Sequence, residues 1–153
     1  MHSSNYFSDF DFDFDTRYLI TNNPLSSSTI FFRNGIIKKF PKVYYQTSGS
    51  DRRMYLLLSV HGKCRYFNKL WGVYRIHSGG VSQKSIGKNK IKGLENRLET
   101  IKHWDKYFDN KYKIESEQAL RNYLKKLLFL YIKKKQLLKI IICILKLFKI
   151  LKY

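Results

Sequence analysis

The sequence predicts an α+β fold, with short strands and helices over residues 26–112 and basic amphipathic helices over residues 113–153. Three observations predict it. Ser50 to Gly62 reads as a capped helix that leads into runs of aromatic and β-branched residues. Ile91 to Phe108 carries an apolar stripe at helical spacing. From Ala119 onward Leu, Ile and Phe alternate with Lys, and no acidic residue occurs.

A chain of 153 residues has room for one domain, by the ordinary measure of roughly 100–200 residues per domain. Its 30 Lys and Arg against 11 Asp and Glu give a formal charge of +19. That balance favours anionic partners such as nucleic acid, acidic lipid headgroups or sugar nucleotides, without choosing among them. Cys64 and Cys143 are far apart, lie in apolar surroundings and form no CxxC pair. Neither a disulfide framework nor a metal site is indicated, and a reducing compartment is the default. The stretch MHSSNYFSDFDFDFD has no basic and no apolar segment of a secretory signal, so the expected location is cytoplasmic.

Residues 1–25 read as an N-terminal extension. Asp9, Asp11, Asp13 and Asp15 alternate with Phe10, Phe12 and Phe14. Overlapping Asp-x-Asp pairs can hold a divalent metal and a diphosphate. Without a preceding apolar strand to hold them, the preferred reading is a period-2 edge strand or a frayed tail. Tyr18 to Thr21 looks extended, and Asn22-Asn23-Pro24 with Ser26-Ser27-Ser28 is loop chemistry. Thr29 to Arg33, TIFFR, reads as a buried strand ended by an Asn34-Gly35 turn. Ile36 to Phe40 reads as a helical turn stopping before Pro41, and Tyr44 to Gly49 as a polar, aromatic loop.

Ser50 or Asp51 is a good N-cap, Met54 to Val60 is an apolar helical run, and Gly62 sits where a helix stops in the left-handed conformation. Cys64 to Phe67 and Leu70 to Ile76 then make two short strands or one bent strand. Arg75 and His77 fall at the end of the second, and Gly79-Gly80 lets the backbone turn sharply beside a ligand. A carboxylate at a helix start and an Arg/His pair at a strand end can face one pocket.

Together, TIFFR, the Ser50-Asp51 helix, the strand LWGVYRIH and the Gly-Gly turn resemble the C-terminal half of the catalytic domain of family 2 glycosyltransferases, the inverting GT-A type. The resemblance runs from about Ser26 through Ser82, and more loosely to Tyr112; Tyr74, Arg75 and His77 match the family's Tyr-Arg-x-His letter for letter. It implies a partial GT-A-like domain and direct displacement at a sugar's anomeric carbon, with Asp51 as the general base on the acceptor hydroxyl. It also implies that Arg75, His77, Gly79 and Gly80 face a nucleotide-sugar donor, with His77 toward a divalent metal, Mn or Mg. Without the family context, Asp51 is an N-cap and Arg75 and His77 are strand-end surface residues.

The sequence departs from the family in two ways. Arg52 stands where the family carries an aromatic, and Ser50 where it carries Gly or Glu. Upstream of Ser26 the family's nucleotide-binding units and acidic metal motif have no counterpart. The implied protein is a truncated transferase, or one that needs a donor-half protein partner, acting on a glycan or lipid-linked acceptor.

The stripe Ile91, Leu94, Leu98, Ile101, Trp104, Phe108 predicts a packed helix stopping at Asp109-Asn110, and a further helix is read as capped at Ser116. His61 and His103 lie in helices with no neighbouring ligand residue, and Trp71 and Trp104 read as core or rim aromatics. In the tail the longest apolar run, Ile140 to Leu145, is far short of the ~20 residues that span a bilayer. Its lysines suit one or two helices lying on an anionic membrane surface, at the cytoplasmic face, or packed on a partner or on the chain's own domain. The alternative function is a nonenzymatic basic module that binds nucleic acid or membrane, with HWDKYFDNKYK as the nucleic-acid-binding stretch.

Overall fold

The structure, a computed structural model, describes residues 8–22, 29–47, 50–70, 72 and 90–151. Along the chain come β1 (Phe12–Phe14), α1 (Thr16–Thr21), α2 (Lys42–Gln46), α3 (Ser50–Ser59), β2 (Cys64–Tyr66), α4 (Lys90–Tyr107), α5 (Lys113–Lys133) and α6 (Leu137–Leu151). The fold is mixed α and β, mostly helical, with one two-stranded antiparallel sheet among the described residues.

The Asp/Phe repeat forms the short edge strand its period suggests. In β1, Phe14 is buried and Phe12 half-buried, while Asp13 points outward, as a strand's alternation requires. The register pairs Phe12 with Tyr66, Asp13 with Arg65 and Phe14 with Cys64. Phe12 packs its ring 5.4 Å from Tyr66 and 5.5 Å from Tyr18, so the sheet is held by aromatic contact on its inner face. On the outer face Arg65 Nη1 lies 3.1 Å from Asp13 Oδ1, an exposed pair of small energetic weight.

The core is built around α5, which packs against α4, α6 and α1. Its inward residues Ala119, Tyr123, Leu124, Leu127 and Tyr131 recur every three or four positions, so one stripe stays buried along the whole helix. The stripe on α4 is as the spacing predicts: Leu94, Leu98, Ile101 and Trp104 are buried, with Ile91 and Phe108 half-buried at its ends. Asp109 and Asn110 turn the chain in the left-handed region, at φ 52° and 58°, conformations that Asp and Asn tolerate best after Gly. The α5–α6 turn uses Lys135 at φ 54°, with Gln136 N donating to Tyr131 O at 3.0 Å to close the helix end.

Several local expectations are corrected. Tyr18 to Thr21 is helical, because Asp15 Oδ1 accepts from Tyr18 N at 3.1 Å and caps the start of α1. Among the described residues the one sheet is β1 with β2, and TIFFR forms no strand; its Phe31 is 84% exposed and its Phe32 52%. Only its closing turn is observed, with Gly35 at φ 79°.

The helical turn expected before Pro41 instead follows it. Proline's fixed φ suits a helix start, and α2 occupies part of the expected aromatic loop. Gly62 adopts no left-handed conformation; α3 ends at Ser59, and His61 N donates to Leu58 O in the turn beyond it. Ser116 is buried inside α5, whose start at Tyr112 has no side-chain cap. Leu70 and Gly72 belong to no strand, and the rest of the strand expected over 70–76 lies outside the described residues.

Candidate functional site

Asp51, the general base that the resemblance implies, stands exposed on the first turn of α3. The two arginines that follow it turn the other way, into the body of the protein. Arg52 Nη1 donates to Tyr123 Oη at 3.0 Å, and Nη2 donates to Leu19 O at 2.9 Å and to Ile20 O. Those carbonyls belong to the last turn of α1, whose acceptors have no intrahelical donor. Arg53 does the same for α2: Nη1 donates to Tyr44 O and Thr47 O, and its guanidinium lies 4.6 Å from the Tyr44 ring centre. One helix turn is thereby fixed to α1, α2 and α5, with Asp51 exposed on the same turn.

The supporting shell is built of buried polar contacts. Thr47 Oγ1 donates to Val43 O at 2.9 Å and accepts from Trp104 Nε1 at 3.3 Å, so the indole holds the segment that leads into α3. Ser59 Oγ lies 3.0 Å from Thr16 Oγ1 at the other end of the helix. At Tyr123, burial opposes ionisation, but the positive charges of Arg52 and Arg97 outweigh it and hold the phenol below its usual pKa. Beside Arg52 a cavity of about 20 Å³, bordered by Ile20, Thr100 and Asp105, has room for a water and none for a sugar.

Compared with family models, curated proteins and solved structures, the chain matches none of them.

Arg75, His77, Gly79 and Gly80, the donor-side residues that the resemblance implies, lie outside the described residues, as does Trp71. Among the described residues no cluster of three or more His, Cys, Asp or Glu is placed to hold a metal ion. The Asp/Phe repeat has structural duties instead. Asp15 caps α1, Asp13 pairs with Arg65, and Asp11 Oδ1 accepts from Asn68 N at 2.8 Å. His103 Nδ1 lies 2.7 Å from Glu99 O on the surface of α4, and His61 sits exposed in the turn after α3 rather than in a helix.

Both cysteines are free thiols. Burial pushes both up in pKa, and Asp15 adds to the effect at Cys64, so neither is poised as a nucleophile at neutral pH. Trp104, the indole of the HWDKYFDNKYK stretch, is 2% exposed and offers no face to a base.

Two structural features carry little signal in the sequence. The anchoring roles of Arg52 and Arg53 carry no local signal beyond two arginines following an acid at a helix start. The trio Glu95, Tyr131 and Lys139 joins α4, α5 and α6: Tyr131 Oη donates to Glu95 Oε1 at 2.6 Å, and Lys139 Nζ lies 3.6 Å from the same oxygen. The tail, expected from its sequence to be amphipathic, leaves Leu137, Leu138, Ile141, Leu145 and Phe148 exposed on the outer face of α6.

Proposed function

We propose that the chain is the acceptor-side lobe of an inverting glycosyl-transfer centre of the family 2 type, acting with a donor-binding lobe on a partner chain. The observation that carries this reading is the exposed Asp51 on a helix turn whose neighbouring arginines are committed to the protein body. A general base must be reachable by substrate and carried on a fixed backbone, and an exposed Asp51 on an anchored helix turn supports this reading.

In the proposed step the acceptor hydroxyl gives its proton to the Asp51 carboxylate as its oxygen attacks the anomeric carbon. The bond from that carbon to the diphosphate oxygen breaks on the opposite face, configuration inverts, and the nucleoside diphosphate leaves. Arg52 and Arg53 act as positioning residues. No step is routed through Arg75, His77, Gly79, Gly80 or a metal; those belong to the donor side that the resemblance implies. The same reading puts the protein at the cytoplasmic face of a membrane as a peripheral component. Among the described residues no helix is long and apolar enough to cross one.

The test is release of nucleoside diphosphate from a panel of sugar nucleotides, supplied with glycan and lipid-linked acceptors, by wild-type and Asp51→Asn chains each isolated together with the donor-binding partner chain. A fall of roughly 10²-fold or more in Asp51→Asn, with helicity retained by circular dichroism, is the expected result. Release unchanged in Asp51→Asn contradicts the reading, and so does a folded wild-type chain that binds no acceptor.

A further inference from the structure

We infer that the outer face of α6 is a docking surface for anionic lipid, with the helix lying in the plane of the membrane boundary. This deepens the proposed peripheral placement and rests on it, but is independent of Asp51.

The helix has three distinct sides. Ile140, Cys143, Leu147 and Ile150, spaced by three and four, pack on the core. Leu137, Leu138, Ile141, Leu145 and Phe148 make a second apolar side, and all of them are exposed, Leu137 at 74% and Leu138 at 72%. Single exposed leucines need no explanation, but a whole helical face of them marks an interaction surface. Lys139, Lys146 and Lys149 form the third side. At the adjoining end of α5, Phe129 and Ile132 are also exposed, followed by Lys133, Lys134 and Lys135.

Charge decides the occupant. After Glu117 the chain carries no acidic residue, so a second copy of α6 would bring lysines against lysines with no carboxylate of its own to pair with them. Anionic headgroups supply the missing charge, while the apolar side enters the acyl boundary and the lysine stems reach outward. Length fits the same orientation. At ~1.5 Å per residue α6 is roughly 22 Å long, short of the ~30 Å hydrocarbon core, so it suits the interface and not a crossing. The core-facing side stays on the protein because Lys139 is held by Glu95 and by the Tyr131 ring, 5.2 Å from its ammonium. Only the outer side is left to face lipid.

The experiment is sedimentation of the full chain with vesicles of phosphatidylcholine alone and of phosphatidylcholine mixed with phosphatidylglycerol, at low and high salt. Two variants accompany it: Leu138→Ser/Ile141→Ser/Leu145→Ser, and Lys146→Gln/Lys149→Gln. All five side chains are exposed, and circular dichroism confirms that each variant folds. The expected result is binding to the anionic vesicles, lowered at least roughly tenfold by the triple variant. The lysine variant or high salt lowers it about tenfold.

Several results overturn the inference: no vesicle binding, equal binding to both compositions, or binding that the triple variant retains. So does a wild-type dimer that the triple variant converts to monomer, which would assign the face to a second copy. The assay contains no donor or acceptor. Its failure alongside intact Asp51-dependent turnover removes only the lipid surface; the converse removes only the transfer reading.

Discussion

Arg52 and Tyr123 lie 71 residues apart in sequence and are joined by a 3.0 Å hydrogen bond that ties the first turn of α3 to the middle of α5. The same guanidinium satisfies two carbonyls at the end of α1, so a single side chain connects three helices. Asp51 precedes Arg52 on the same turn and is exposed.

Replacing Arg52 should therefore cost more than an ordinary surface substitution. Arg52→Met leaves two helix-end carbonyls without the guanidinium and the Tyr123 hydroxyl with Arg97 alone, and the expected loss is roughly 2 kcal/mol. Arg52→Lys restores only part of it, because an ammonium cannot reproduce the planar fork. Urea unfolding followed by far-UV circular dichroism measures both.

Tyr131 predicts a dependence on alkaline pH. Burial first, and then its hydrogen bond to Glu95, raise its pKa above the ordinary value. Below about pH 10 the phenol is protonated in both folded and unfolded chains, and its stabilising effect is whole. As pH rises further the unfolded chain ionises first while the folded chain keeps the proton, so stability is lost. The difference in unfolding free energy between wild type and Tyr131→Phe, roughly 1–2 kcal/mol at neutral pH, should shrink steadily above that point.

Lys135 occupies a left-handed backbone position for which glycine is better suited. Lys135→Gly should raise the melting temperature through a gain of about 1 kcal/mol, with helix content unchanged. A loss of stability would mean that the lysine side chain contributes more to the α5–α6 turn than its backbone strain costs.

The helices were readable where the chain's own periodicity controls them. The stripe from Ile91 to Phe108 becomes the buried side of α4, and the lysine-rich tail becomes two helices. The mistaken elements are those in which a non-local or single-residue effect overrides propensity. Tyr18 to Thr21 has the composition of a strand, yet one Asp15 cap sets it as helix; TIFFR has the composition of a buried strand, yet it joins no sheet among the described residues and its phenylalanines stay exposed. At the site, the position of Asp51 on a helix start was legible from the N-cap pattern before an apolar run. The commitment of Arg52 and Arg53 to α1, α2 and α5 was not, because those carbonyls become acceptors only once the helices end and meet.

The most direct measurement of the central claim is acceptor binding followed by amide chemical shifts at the first turn of α3. The wild-type chain is titrated with glycan and lipid-linked saccharide acceptors beside Asp51→Asn and Asp51→Lys. The account predicts saturable shifts centred on Asp51 to Arg53, weakened in Asp51→Asn and abolished in Asp51→Lys, in chains of unchanged stability. Shifts that avoid this turn, or that persist unaltered in Asp51→Lys, would contradict an acceptor site at Asp51.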